Sequence, residues 1–371
     1  MNLLHLVPEE TGGSELYVRR LIPALLSERD DLRLTLFAAR EAIRALSRED
    51  WASGVEIVPV RVNARSRPRR VLAEQLLLRR AVRQARVDLL HNAFTTAPAF
   101  PGVPQVTTIL DVIYKRFPDT HPGLYRHGMA VLVPLAARRS TRVLTLSESA
   151  KSDIVRLLGI PPERVDVTLL GPGLPAGVDP APIVELRRRF DLADAPLLLT
   201  VSAKRPHKNL ERLFEAFATL PGEPKLLVPG YETPFEDSLR ARAEELGAAD
   251  RIRFTGWVDE RTLEGLYHAA DGFVFPSLAE GFGLPVLEAL LRGVPVACSR
   301  IGPLEEVAGD AALYFKPTDV GEIGRAMEKI LSDAGLQERL RKAGPIRARP
   351  FTWKTTAAAT LESYERALSS S

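Results

Sequence analysis

The chain has 371 residues, 45% hydrophobic and 26% charged, with 50 basic and 47 acidic side chains giving a net charge of +3. These are the values of an ordinary globular protein, and they exclude a disordered, collagen-like or small disulfide-stapled chain. The lone cysteine, Cys298, excludes an intramolecular disulfide and any multi-cysteine zinc or iron–sulfur site.

From the amino terminus, apolar runs predict strands at residues 3–7, 32–38, 55–60, 88–90, 106–110 and 143–146. Helical spacing predicts helices at 15–28, 71–85 and 129–139 between them. No basic region precedes the first strand, so no secretory leader is expected. The longest apolar stretch, around 129–137, falls short of the roughly 20 residues that span a membrane. A reducing, cytoplasmic setting is the resulting expectation.

Gly171-Pro172-Gly173-Leu174-Pro175, followed by Asp179-Pro180-Ala181-Pro182, then breaks the pattern as a linker would. Beyond it the alternation restarts, with strands expected at 197–202, 225–229, 252–255, 272–275, 295–298 and 312–315. The helices expected there are 210–219, 236–245, 260–269, 285–291, 303–307 and 321–332, and a last one covers 353–368. Short apolar strands alternating with helices make parallel sheets covered on both faces. The predicted fold class is therefore α/β, with two Rossmann-like, doubly wound domains facing a central cleft. The first covers 1–172, with 352–371 folding back onto it; 173–195 form the hinge, and the second covers 196–351. Ligands of such sheets gather at the carboxyl ends of the strands.

The most informative segment runs from Phe275 to Ala289. A strand ends, a turn containing Gly281, Phe282 and Gly283 follows, and Leu284-Pro285 opens a helix. Backbone N–H groups crowded at a helix amino terminus carry about half a positive charge and bind phosphate oxygens. Glu280 precedes the turn and Glu288 lies a turn inside the helix, so both suit sugar hydroxyls better than phosphates. Arg205 and Lys208 follow the first strand of the second half and offer fixed cations. In the first half, Gly12-Gly13 follow the opening strand, without the Gly-x-Gly-x-x-Gly dinucleotide fingerprint. Asp111 ends a buried strand, where it either caps the next turn or faces a substrate. Ser147 reads as a helix cap in preference to part of an acceptor wall, His5 and His91 as packed core residues, and Trp257 as either a core contact or a ligand contact. His121, His127 and His268 show no metal-ligand spacing.

The block Pro276 to Glu288, with seven residues between Glu280 and Glu288, resembles the Glu-x7-Glu motif of glycosyltransferase family 4, retaining enzymes of the GT-B fold. Gly12-Gly13, Lys208-Asn209 and Phe351-Thr352-Trp353 agree with that family, over nearly the whole chain. The resemblance implies transfer of a sugar from a nucleotide-diphosphate donor to an acceptor hydroxyl, with retained anomeric configuration and no metal or other cofactor. It implies that Arg205, Lys208 and the backbone of Gly283 and Leu284 hold the diphosphate, and that Gly12 and Gly13 approach it. It further implies that Glu288 holds the ribose, Glu280 the donor sugar, and that Asp111 lies on the acceptor side. Ala203 and Leu110 stand where relatives often carry an Arg and a His, which leaves open whether Lys204 or Arg205 replaces the former. The Arg205-Pro206-His207-Lys208-Asn209 form is similar to that of mannosyltransferases acting on surface polysaccharides or glycolipids, so GDP-mannose is the leading donor and a UDP-hexose the next. A nucleotide-sugar epimerase or hydrolase, or a non-catalytic nucleotide-sugar-binding subunit, are the alternatives on this fold.

Nine arginines lie between residues 61 and 86 against the single acid Glu74. They read either as a solvated basic surface or as an attraction to phosphate-bearing partners, an anionic membrane or a lipid-linked acceptor. No aromatic residue interleaves with them, which argues against nucleic acid.

Overall fold

A computed structural model describes residues 1–8, 10, 12–117, 124–175 and 177–370. The chain divides into two compact units, 1–173 with 351–371, and 174–350. In the first, strands β1 (Asn2–Leu3), β2 (Leu34–Ala39), β3 (Val55–Val60), β4 (Leu90–Asn92), β5 (Gln105–Thr108), β6 (Arg142–Thr145) and β7 (Val165–Val167) form one parallel sheet in the order β3-β2-β1-β4-β5-β6-β7. In the second, β8 (Leu197–Leu199), β9 (Lys225–Pro229), β10 (Ile252–Gly256), β11 (Gly272–Phe275), β12 (Val296–Ser299) and β13 (Ala312–Phe315) pair in parallel in the order β10-β9-β8-β11-β12-β13.

Interior strands such as β8 and β11 are apolar because helices cover both faces, whereas β4 and β5 carry the buried polar residues His91, Asn92, Gln105, Thr107 and Thr108. Every residue of β2, β8, β11 and β12 is buried, whereas the edge strand β3 is mostly not. The second unit's core gathers Leu198, Leu226, Val274 and Ala297 of the sheet with Phe214, Phe217, Met327 and Ile330 of its helices. Around the first sheet, Leu4, Phe37, Leu78 and Val82 form one cluster, and Ile109, Val133, Val143 and Ile154 another. Side-chain caps fix several helix starts: Ser147 accepts from Ala150 N, Asp259 from Thr262 N, Asp319 from Glu322 N, and Asp333 from Leu336 N.

Several elements differ from the sequence reading, which lacks strand Val165–Val167 and helix Arg40–Leu46 and extends the strand Leu197–Leu199 to residue 202. The strand expected over 3–7 ends at Leu3, because Asn2 Oδ1 accepts from Leu4 N and Leu6 N donates to Leu3 O, turning the backbone out of the sheet. The stretch read as hinge holds the helix Ile183–Arg189. Helix Ala334–Ala348, which contains Gly335, Gly344 and Pro345, fills a stretch to which the sequence reading assigns no element. It persists because Asp333 caps it and Gly344 lies against the backbone of Leu290, where a Cβ would come 2.8 Å from the carbonyl oxygen.

Both sheets reverse their winding once, between β1 and β4 and between β8 and β11. Such switch points open a crevice at the carboxyl ends of the strands, where the connecting loops diverge.

Candidate active site

In the second unit, the loops after β8 and β11 flank the switch point, and they carry Arg205, Lys208, Glu280 and the glycine turn. They are stitched together. Leu278 N donates to His207 O at 2.8 Å. Asn209 Nδ2 donates to Pro276 O at 3.0 Å and to Pro317 O at 2.7 Å, tying three carboxyl-end loops to one amide. Asn209 can do this because its backbone is left-handed (φ 60°), which asparagine tolerates better than most residues. Its role was hidden in the sequence, where the only signal was its place beside Lys208.

Lys208 and Glu280 are brought into direct contact, Nζ to Oε1 at 2.6 Å, with side chains only 16% and 11% exposed. Nζ also lies 5.3 Å from the centre of the Phe275 ring. Lys204 is placed otherwise. It is fully buried, donates to Gly230 O and lies 3.6 Å from Glu236 Oε2. Burial lowers its ammonium below the usual lysine range, against the opposing pull of Glu236. Arg205 is exposed, with no acidic partner among the described residues. Of the two cations left open by the sequence, Lys204 is therefore occupied inside the fold and Arg205 is the accessible one.

Gly283 caps the helix Leu284–Leu291 with φ 115°, and no side chain caps that terminus. The positive φ calls for glycine there, and a Cβ would also press on the Leu304 methyl, 2.5 Å away. Glu288, on the same helix, is buried and bonded within the unit. Its Oε1 accepts from Leu174 N at 3.1 Å and its Oε2 from the Tyr267 hydroxyl at 3.0 Å. Burial, and then the Glu288 carboxylate, raise that hydroxyl's pKa well above the ordinary tyrosine value. Sequence reading gave no sign of Tyr267.

Hydroxyls add to this end of the sheet. The side-chain hydroxyls of Thr200 and Ser202 after β8, Ser277 after β11 and Ser299 at the end of β12 are buried, with no hydrogen-bond partner among the described residues. Trp257, following Gly256, is 61% exposed, which rules out the core contact and leaves its indole accessible.

In the first unit, Gly12 (φ 59°) caps the helix Gly13–Glu28 beyond β1, and a Cβ at Gly12 or Gly13 would meet nothing within 4 Å among the described residues. Asp111 follows β5, and its Oδ1 accepts from Ile113 N at 2.9 Å, so it caps the turn of Ile113–Arg116. His91 is buried, with Nε2 on Thr108 Oγ1 and Nδ1 on the Tyr364 hydroxyl. His121 lies outside the described residues. Among those described, no group of three or more His, Cys, Asp or Glu could hold a metal ion, and no helix is long and apolar enough to cross a membrane.

Two parallel doubly wound sheets, with the glycine turn, Lys208 and Glu280 on the switch-point loops of the second and Glu288 on the helix that follows, define a glycosyltransferase of the GT-B class. Residues 11–171 match the family model described as Glycosyltransferase Family 4, and residues 185–347 that described as Glycosyl transferases group 1. The chain is 33% identical over 268 residues to the O-antigen chain mannosyltransferase B of Escherichia coli, with 70% of each chain covered. It is 32% identical over 242 residues to the Escherichia coli serotype-specific mannosyltransferase WbdA, covering 63% of this chain and spanning only 30% of that protein. In fold it is similar to Anabaena HepE, solved with UDP and glucose, with TM-score 0.77 at 20% identity over 98% of both chains. The chain belongs to glycosyltransferase family 4.

Proposed function

We propose that the protein transfers a hexose from a nucleoside-diphosphate donor to a hydroxyl of a saccharide or lipid-linked acceptor, with retention at the anomeric carbon. Mannose from GDP-mannose is the leading donor, supported by the mannosyltransferase relatives, with a UDP-hexose second. The observation that carries the reading is the convergence of Lys208, Glu280 and the uncapped helix terminus at Gly283 on one switch point.

Glycosyl transfer passes through an oxocarbenium-like transition state while the leaving diphosphate gains negative charge. Lys208, Arg205 and the N–H groups at Gly283 and Leu284 are preorganised to meet that charge without a metal or other cofactor. Glu280 holds the donor sugar and Glu288 the ribose. Gly12 and Gly13, free of Cβ atoms, let backbone approach the diphosphate, and Asp111 orients the acceptor hydroxyl. An acceptor anchored in lipid places the work at the inner, cytoplasmic face of a membrane, with the protein in peripheral contact.

A thermal-shift screen of nucleotide sugars tests the donor, since a ligand at about 100 times its dissociation constant contributes roughly 2.7 kcal/mol. The expected result is stabilisation by GDP-mannose or a UDP-hexose and, with acceptor added, a product whose anomeric proton shows retention. Inversion, or donor hydrolysis undiminished by every acceptor, overturns the reading.

A further inference from the structure

Helix Arg67–Ala85 of the first unit carries apolar residues on two faces. Leu78 and Val82 turn inward with Ala73 and Glu74. A helix lying on a sheet is expected to be polar on the opposite side. Instead Leu72 and Leu76, one turn apart, are 59% and 63% exposed. At about 100° per residue, Leu72, Leu76, Arg79 and Arg83 fall on one stripe, with Arg69 and Arg80 along its edge. Arg69, Arg79, Arg80 and Arg83 are exposed and have no acidic partner among the described residues. The helix's one acid, Glu74, is buried on the far side. Beside the leucines lies a recess of about 300 Å³, walled by Val62, Leu72, Leu76 and Leu77 and rimmed by Arg61 and Arg69.

Leucines in the middle of an exposed, unneutralised arginine face match the surface that a bilayer interface selects, where apolar side chains enter the acyl boundary and cations meet phosphates. We propose that this helix face docks on an anionic membrane surface. The helix also has the right address within its unit. Thr96 donates to Glu74, and Gln75 bonds Ala97 O and Ala99 N, so its first half lies against the loop that follows β4. That is the carboxyl end of the sheet, which also carries Gly12 and Asp111. A leaflet seated there brings phosphate-bearing acceptors to those loops. This use of the face rests on the lipid-linked acceptor proposed above.

The test is sedimentation of the whole chain with vesicles of phosphatidylcholine, alone or mixed in equal parts with phosphatidylglycerol. Binding is expected to the mixed vesicles only, and to weaken as salt shortens the screening length. Arg79→Gln with Arg83→Gln lowers partitioning by about fivefold per arginine. Leu72→Gln with Leu76→Gln lowers it by about tenfold or more. Val184→Gln, at an 82% exposed apolar site in the second unit, changes nothing. Equal binding to neutral and mixed vesicles, undiminished binding of the leucine variant, or capture of nucleic acid in place of vesicles overturns the proposal. Vesicle binding needs no donor, so a chain that docks yet transfers no sugar refutes the functional reading alone. Transfer to a water-soluble acceptor by a chain that binds no vesicle refutes the docking face alone.

Discussion

Lys208→Met and Glu280→Gln, made singly and together, separate the structural value of this ion pair from its work on a ligand. The atoms are 2.6 Å apart, and both side chains are more than four-fifths buried. Removing one partner of a buried pair costs about 3–5 kcal/mol, because the other charge is stranded. The residual exposure puts Lys208→Met near the low end, about 3 kcal/mol. Glu280→Gln keeps an oxygen for the ammonium and is expected to cost about 1–2 kcal/mol. The double variant, with neither charge, should unfold in urea about 1–2 kcal/mol later than the summed singles predict. Ligand binding should split differently. A charge-assisted hydrogen bond to phosphate is worth about 1.5–3 kcal/mol, so Lys208→Met should weaken GDP or UDP binding roughly 10- to 100-fold by calorimetry. Glu280→Gln should leave it intact or tighten it, since the carboxylate no longer competes for the ammonium. Transfer should fall by orders of magnitude in both, because one variant loses charge stabilisation and the other a sugar contact. If Lys208→Met binds nucleoside diphosphate normally, or Glu280→Gln loses affinity as severely, Lys208 is only a counter-charge and the diphosphate site lies elsewhere.

Burial raises the Glu74 carboxyl from 4.5 to about 7, so between those values the folded chain holds a proton that the unfolded chain releases. Stability from this group therefore falls as pH rises through that window, by roughly 3 kcal/mol in all, and Glu74→Gln should gain on the wild type by that amount between pH 4 and 8 in urea melts; a pH-independent difference would show the carboxyl is ionised throughout. Gly230→Ala, at φ 143° with its Cβ 2.0 Å from Ser202 O, should cost more than about 3 kcal/mol or prevent folding, whereas Gly12→Ala, with open space and φ 59°, should cost about 1 kcal/mol by thermal melt. Comparable losses would mean the backbone at Ser202 yields easily. Transfer measured in excess chelator should equal that in its absence, and a loss restored by a divalent ion would refute charge neutralisation by protein groups alone.

Element order was legible because many of the buried parallel strands are written as apolar runs, and a cap such as Ser147 announces its helix locally. What escaped was set by atoms far apart in sequence or by exceptions to local rules. No pattern in Leu3 to Val7 reveals that an Asn2 side chain ends the strand, and Gly344 inside helix Ala334–Ala348 answers to packing against Leu290. The residue types of the candidate site could be named from the turn and the two glutamates. Their pairing could not, since Lys208 and Glu280 are 72 residues apart and meet only when the winding of the sheet reverses between β8 and β11.

The final helix, Trp353–Ser369, belongs to the first unit: Trp353 Nε1 donates to Pro172 O, and the Tyr364 hydroxyl meets His91 at 2.6 Å. The second unit is one continuous stretch of chain, whereas the first is written in two pieces around it. On the ribosome, the segment translated first must wait, its Tyr17 and His91 surface uncovered, while the segment translated second has everything it requires. The half that begins earliest is thus the one finished last, and its maturation is tied to complete synthesis of its neighbour.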